Sequence, residues 1–197
     1  MITASQLRIG MAIRHENQQY KVLAADYHPG QGKMGGVNHV RLRNLETGTL
    51  WEHSFRAELK LEELEIARRS LEFLYEDAGQ CYFMDPDNYD QVEVPATVIG
   101  EQTRFLEQGM RLPVEFVEDR PISVVLPGVL DVVIVETAPA SHGQPDSTWK
   151  PARLANGVEI MVPPFVESGE TIRLNLPELK YMDRAKTKSA AGIRNTG

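Results

Sequence analysis

The sequence predicts an all-β protein built from small barrels or sandwiches. Two observations carry that reading. Short alternating or apolar runs recur at a spacing of roughly 8–12 residues. Glycine, asparagine, proline and acidic residues, the side chains that favour turns, separate them. One segment alone carries a helical pattern.

In chain order, a strand ends near Tyr27 and the next starts near Val37. Val37 to Arg43 alternates, most cleanly over His39-Val40-Arg41-Leu42-Arg43; Glu46-Thr47-Gly48 turns the chain and Thr49 to Phe55 returns. Leu71 to Tyr75 and Cys81 to Met84 flank Glu76-Asp77-Ala78-Gly79, a second hairpin. Pro95 suits the first turn of a helix over Ala96 to Leu106, with Val98, Ile99, Phe105 and Leu106 as its apolar positions. Val114 to Val117, Ile122 to Leu126 and Val129 to Val135 read as strands, separated by Glu118-Asp119-Arg120-Pro121 and by Pro127-Gly128. Val158 to Val162 and Thr171 to Leu176 complete the set, with turns at Asn156-Gly157 and Ser168-Gly169. Thr187 to Gly197 is small and polar and is expected to be a disordered tail.

The chain has 197 residues. The acidic run Leu59 to Ile66 is expected to separate a first domain, 1–64, from a central one, 65–128. Pro127-Gly128 separates the latter from a third, 129–186. Units of about 65 residues have marginal cores, so docking between neighbours is expected. The net charge of −7 is unevenly spread: residues 1–64 carry +1 and four of the five histidines, 65–128 carry −8, and 129–197 are neutral. Such asymmetry reads either as a solvated acidic face or as a molecule whose ends touch polyanions while its middle does not.

One cysteine, Cys81, excludes a disulfide scaffold and a zinc finger and is expected to be a core thiol in a reducing cytoplasm. No run approaches the roughly 18–20 apolar residues of a membrane helix, and no secretory signal opens the chain. No membrane partner and no cofactor are expected. His15, His28, His39, His53 and His142 show no ligand spacing, and no nucleophile elbow is present. His28 and His39 read as surface residues at strand ends, and Trp51 and Trp149 as barrel packing.

The most informative segment is the loop Pro29, Gly30, Gln31, Gly32, Lys33, Met34, Gly35, Gly36. Gly30, Gly32 and Gly35 match G-x-G-x-x-G, with Glu52 about twenty residues on, but the dinucleotide fingerprint needs a helix next, and a strand follows here. A phosphate-binding Walker loop also fails, because Met34 stands where a serine or threonine must bind magnesium. Two readings stay open. Either the glycines merely allow a tight hairpin, or they strip side chains from around Lys33 and present one ammonium to a crowded polyanion or to a modifying enzyme.

At this point the sequence resembles the elongation factor P family of bacteria, relatives of archaeal and eukaryotic initiation factor 5A. The resemblance rests on the hairpin Pro29 to Gly36 followed by Val40 to Thr49, and on Leu74-Tyr75-Glu76-Asp77 with Tyr82-Phe83-Met84-Asp85. It rests also on the signature Lys150 to Gly169 (Lys150, Ala152, Gly157, Ile160, Val162, Pro163, Val166 and Gly169) and on the ending Tyr181-Met182-Asp183-Arg184. It implies three β-barrels in an L-shaped, tRNA-like arrangement: an SH3-like (KOW-like) barrel followed by two OB-type barrels. It implies a monomer that binds the 70S ribosome, through rRNA of both subunits, between the P and E sites. There it would promote peptide bond formation at stalled polyproline sequences without being an enzyme. Lys33 would lie beside the CCA end of P-site peptidyl-tRNA and would be the target of a lysine-modifying enzyme. Arg41, Arg43, Tyr181 and Arg184 would face RNA, and Gly143, Gln144 and Asp146 would lie near the E-site codon. Two departures stand out. The tip reads Gly-Lys-Met-Gly where many members read Pro-Gly-Lys-Gly, and the third-domain loop lacks an acid directly after Gly143. The alternative reading is a generic RNA-binding or assembly module with no role in peptidyl transfer.

Overall fold

The computed structural model describes residues 1–30, 35–140 and 149–185. Three antiparallel sheets hold most of them. The first contains β1 (Ile2–Thr3), β2 (Ala12–His15), β3 (Gln18–His28), β4 (Val37–Asn44), β5 (Leu50–Arg56) and β6 (Lys60–Leu64), in the order β1-β6-β2-β3-β4-β5. The second contains β7 (Ala67–Asp77), β8 (Gln80–Met84), β9 (Gln91–Pro95), β10 (Arg111–Val117) and β11 (Arg120–Val124), in the order β11-β10-β7-β8-β9. The third contains β12 (Val129–Thr137), β13 (Lys150–Leu154), β14 (Glu159–Val162), β15 (Thr171–Asn175) and β16 (Lys180–Arg184), in the order β14-β13-β12-β15-β16. The chain divides into two compact units, Met1–Leu126 with the first two sheets and Pro127–Gly197 with the third.

Each sheet is short of apolar residues on one face and rich on the other, so each must curl around its own core. The longest strands allow it. β3 and β7 run for 11 residues each, and each shifts register once, at Val22/Ala24 and at Phe73/Tyr75. Such bulges bend a strand and increase its twist. The first core gathers Ile13, Val22, Leu42 and Phe55; the second gathers Leu71, Cys81, Phe83 and Phe116. The third is built on Ile134, Leu154, Val162, Ile172 and Leu174, all at most 2% exposed. A further buried cluster of Ala12, Leu64, Val117 and Ile122 joins the first two sheets.

Three elements differ from the sequence expectation. The acidic run is itself a strand: in β6, Leu61 and Leu64 turn inward while Lys60, Glu62 and Glu63 stay in solvent. The run therefore closes the first sheet before the chain passes to the second. The expected helix over Ala96 to Leu106 is one helical turn, α1 (Ala96–Ile99), followed by 3₁₀ turns over Gly100–Phe105. Gly100 takes a φ of 73°, which ends the right-handed helix there. The strand expected over Ile122 to Leu126 is β11, placed two residues earlier because a two-residue turn at Glu118 and Asp119 begins it sooner.

Candidate functional site

The glycine loop closes the longest hairpin of the first sheet. β3 and β4 pair as far as Tyr27 with Asn38 and His28 with Val37. In β4, Asn38, Val40 and Leu42 are buried while His39 and Arg41 face outward, which fixes the roll of the hairpin about its own axis. The tip residues Gln31, Gly32, Lys33 and Met34 lie outside the described residues, as do Gly143, Gln144 and Asp146 of the third-domain loop.

The base of the loop explains one glycine. A Cβ on Gly36 would stand 2.6 Å from the Tyr27 hydroxyl oxygen, 2.8 Å from its Cε2 and 3.0 Å from the His28 carbonyl oxygen. The backbone of Gly36 therefore fits under the Tyr27 ring only because no side chain is there. The same residue's carbonyl accepts a 2.8 Å hydrogen bond from the Ala57 N–H, tying the hairpin base to the end of β5. Gly35 has room, since its nearest neighbour would be Glu58 Oε1 at 3.9 Å. Neither takes a left-handed φ. Sequence reasoning missed the Tyr27–Gly36 pair; the available signal was a tyrosine two residues before the loop.

His28 and His39 are exposed and have local partners. His28 Nε2 donates to Asp26 Oδ2 at 3.0 Å, its ring meets that of His39 edge-on at 5.1 Å, and His39 Nδ1 lies 2.7 Å from Ser54 Oγ. Trp51 is barrel packing, half-buried against the first core, with His53 stacked on it at 4.5 Å and His15 at 5.9 Å. Trp149 differs from expectation: it is 44% exposed, and Tyr181 meets it edge-on at 6.1 Å. It directly precedes β13 and lines a surface pocket with Met161, Leu179 and Tyr181.

Arg41 is exposed on the outward face of β4, and Arg43 is half-buried two residues on. Neither forms an ion pair with another described residue. Arg43 lines a cleft of about 550 Å³ between the first two sheets, together with Glu46, Glu93 and Arg120. Arg184 is engaged locally. Its guanidinium lies 4.9 Å over the Phe165 ring, donates to the Phe165 carbonyl at 3.0 Å and pairs with Glu170. The neighbouring Tyr181 phenol is pushed up by burial and by the charge of Asp183. The two arginines of β4 belong to the first compact unit, and Tyr181 and Arg184 to the second.

The signature beginning at Lys150 acts largely on folding. Ala152, Ile160, Val162 and Val166 are buried. Lys150 Nζ donates to the carbonyls of Ala138 and Pro139 at 2.5 and 3.2 Å, bracing the two ends of the loop between β12 and β13.

Comparison with known proteins follows the three sheets. The Elongation factor P KOW-like domain matches residues 3–61, the Elongation factor P OB domain residues 66–124, and the Elongation factor P C-terminal domain residues 130–184. A protein named Elongation factor P from Ruegeria pomeroyi is 38% identical over 185 residues, 93% of this chain and 98% of its own. Another of that name from Bartonella tribocorum is 37% identical over 189 residues, 95% and 98% respectively. A solved structure titled Eukaryotic translation initiation factor 5A from Methanococcus jannaschii overlaps 63% of this chain and 92% of its own, with a TM-score of 0.48 and 18% identity. With three family domains matched in order and relatives aligned over nearly its whole length, the chain belongs to the elongation factor P family of translation factors.

Proposed function

We propose that this chain binds the 70S ribosome between the P and E sites and speeds peptide bond formation at consecutive prolines, with Lys33 beside the CCA end of the P-site peptidyl-tRNA. The observation that carries the reading is the family match along all three domains, joined to one lysine among four glycines at the end of the longest hairpin of the first sheet. The boundaries proposed for those domains are 1–64, 65–128 and 129–186.

The chemistry asked of the protein is positional. Prolyl-tRNA is a slow nucleophile, and holding the reacting ends close to their attack geometry lowers the barrier without a proton passing through the protein. An ammonium on a long stem pairs with tRNA phosphate, and flanking glycines let the backbone enter a narrow channel. The ribosome remains the catalyst and the factor is not an enzyme. The −8 charge of residues 65–128 keeps that stretch from binding RNA indiscriminately. Arg41 and Arg43 would meet rRNA or tRNA backbone, Tyr181 and Arg184 rRNA, and Gly143, Gln144 and Asp146 the E-site codon. A modifying enzyme that lengthens Lys33 would extend its reach. The site of action is the cytoplasm.

The test is a reconstituted translation system reading a reporter with three consecutive prolines. The protein from its native source is expected to raise full-length product, and Lys33→Ala from the same source to fail while melting at the same temperature. A Lys33→Ala protein as active as the parent would overturn the role of Lys33, and a parent that does not raise full-length product would leave a generic RNA-binding module as the better reading.

A further inference from the structure

Strand β10 departs from alternation in an informative way. Val114, Glu115, Phe116 and Val117 are all buried in succession. Val114 and Phe116 point into the second core, so Glu115 and Val117 occupy the opposite face. That face does not see solvent, because the first sheet covers it: Val117 packs with Ala12 of β2 and Leu64 of β6. Glu115 is therefore a carboxylate 3% exposed within the seam between two barrels.

Its partners come from both sides. Lys21 Nζ of β3, in the first sheet, donates to Glu115 Oε2; the Lys21 side chain is itself 15% exposed. Arg68 of β7 donates to the other oxygen through Nε at 3.0 Å and Nη2 at 2.7 Å. Burial alone would push this carboxyl up, yet the hydrogen bonds and charges of Lys21 and Arg68 outweigh burial and hold it below its usual range.

A second carboxylate crosses the same seam. Glu118 accepts from Arg14 of β2 at 2.5 Å and from Gln19 of β3 at 2.7 Å, and Arg14 also binds Glu62 at 2.8 Å. Glu118 and Asp119 form the β10–β11 turn with φ of 49° and 64°. Asparagine and glycine adopt that turn at lower cost. A glutamate held there in a strained backbone is the residue whose side chain makes both cross-seam bonds, the pattern expected where strain serves a contact.

We propose that Glu115 and Glu118 are positioning residues, a two-carboxylate lock that fixes the second barrel against the first and so fixes the angle at which the β3–β4 hairpin presents Lys33. The proposal rests on the function proposed above. Lys21 lies on β3, the strand that runs on into the hairpin, so the lock grips the same strand that leads to the tip. A lysine that must reach a fixed point gains nothing from a long hairpin unless the base of that hairpin is rigidly held, since small misplacements cost large factors in rate.

The experiment uses the full chain with nitroxide labels at Glu52→Cys in the first sheet and Asp87→Cys in the β8–β9 turn of the second, both exposed; Cys81 is buried and does not compete for label. Glu115→Gln is expected to broaden the inter-label distance distribution and to slow proline–proline bond formation about tenfold. Replacing the two buried members, Lys21→Met with Glu115→Met, refills the seam and leaves unpaired only Arg68, whose side chain is 69% exposed, and is expected to restore the narrow distribution and the rate together. Should Glu115→Gln fail to fold, Glu118→Gln, at an exposed side chain, is the second variant and is expected to broaden the distribution in the same way. A distribution as narrow as the parent's in the variant that folds, or a broadened one with an unchanged rate, overturns the lock. If the parent protein itself does not speed proline–proline bonds, the functional reading falls, and the distances alone uphold or overturn the lock.

Discussion

Adding one methyl group at Gly36 tests how tightly the hairpin base is built. In Gly36→Ala the new Cβ would lie 2.6 and 2.8 Å from atoms of Tyr27 and 3.0 Å from the His28 carbonyl oxygen. The Tyr27 ring is 45% exposed and can swing aside. The His28 carbonyl cannot, because it belongs to the backbone of β3, where His28 pairs with Val37, so the base must open by a few tenths of an ångström. Overpacking of this kind costs about 1–3 kcal/mol. Since Gly36 lacks a left-handed φ, alanine also restricts the unfolded chain and returns about 0.4–1 kcal/mol. The net expectation is a loss of about 1 kcal/mol, or a melting temperature lower by about 2–4 °C. Gly35→Ala is the control: with its nearest neighbour at 3.9 Å it should match the parent or exceed it slightly. In a Tyr27→Ala background most of the cost of Gly36→Ala should remain, because the His28 carbonyl is still in the way. Thermal melts followed by circular dichroism read the parent and the four variants. A Gly36→Ala protein at least as stable as the parent, or a cost abolished without Tyr27, would refute the reasoning.

Three further outcomes are expected. Glu115 titrates below its ordinary 4.5 in the folded protein, so its contribution is complete above that value and is lost as pH falls below it through the lower folded value. Its charged partners are Lys21 from β3 and Arg68 from β7, and Glu115→Gln should flatten the fall in stability as pH drops below 4.5, measured by chemical denaturation. Cys81 is fully buried, and burial, with Glu76 nearby, pushes its thiol up to about 11; a thiol reagent at pH 8 should label it slowly in the native protein and at once in denaturant, and rapid native labelling would contradict its place in the core. Phe83→Ala empties the centre of the second core, where Phe83 meets Phe73 edge-on at 5.4 Å, and should cost about 3–5 kcal/mol in the same denaturation; a loss under about 1 kcal/mol would show a core that collapses around the gap.

Where side chains alternate cleanly, the sequence and the structure agree. β4 and β8 are readable because Val40 and Leu42, and Cys81 and Phe83, alternate with polar or half-exposed neighbours. β6 was hidden because two leucines suffice to dock it while charged residues fill its outer face. The helix was overextended because Val98, Ile99, Phe105 and Leu106 keep a helical rhythm that Gly100 interrupts in the backbone. Glu115 was illegible for a different reason. A glutamate between Val114 and Phe116 reads as solvent-facing, and only the arrival of a second sheet on that face buries it. In the candidate site, the glycines and Lys33 announced themselves by composition, whereas the closeness of Tyr27 to Gly36 depends on strand register, which a single sequence does not specify. Trp149 and Arg184 show the same limit: exposure of the one, and the other's pairing with Glu170, follow from how β13 and β16 are placed.

The central claim is that the hairpin tip stands beside the end of the P-site tRNA while prolines are being joined. A photoreactive benzoylphenylalanine in place of Met34, next to Lys33, irradiated on ribosomes stalled between two proline codons, tests it most directly. An adduct at the 3′-terminal nucleotides of the P-site tRNA is expected, and none when the codons pass without stalling. Adducts confined to other RNA, or equal with and without the stall, would contradict it.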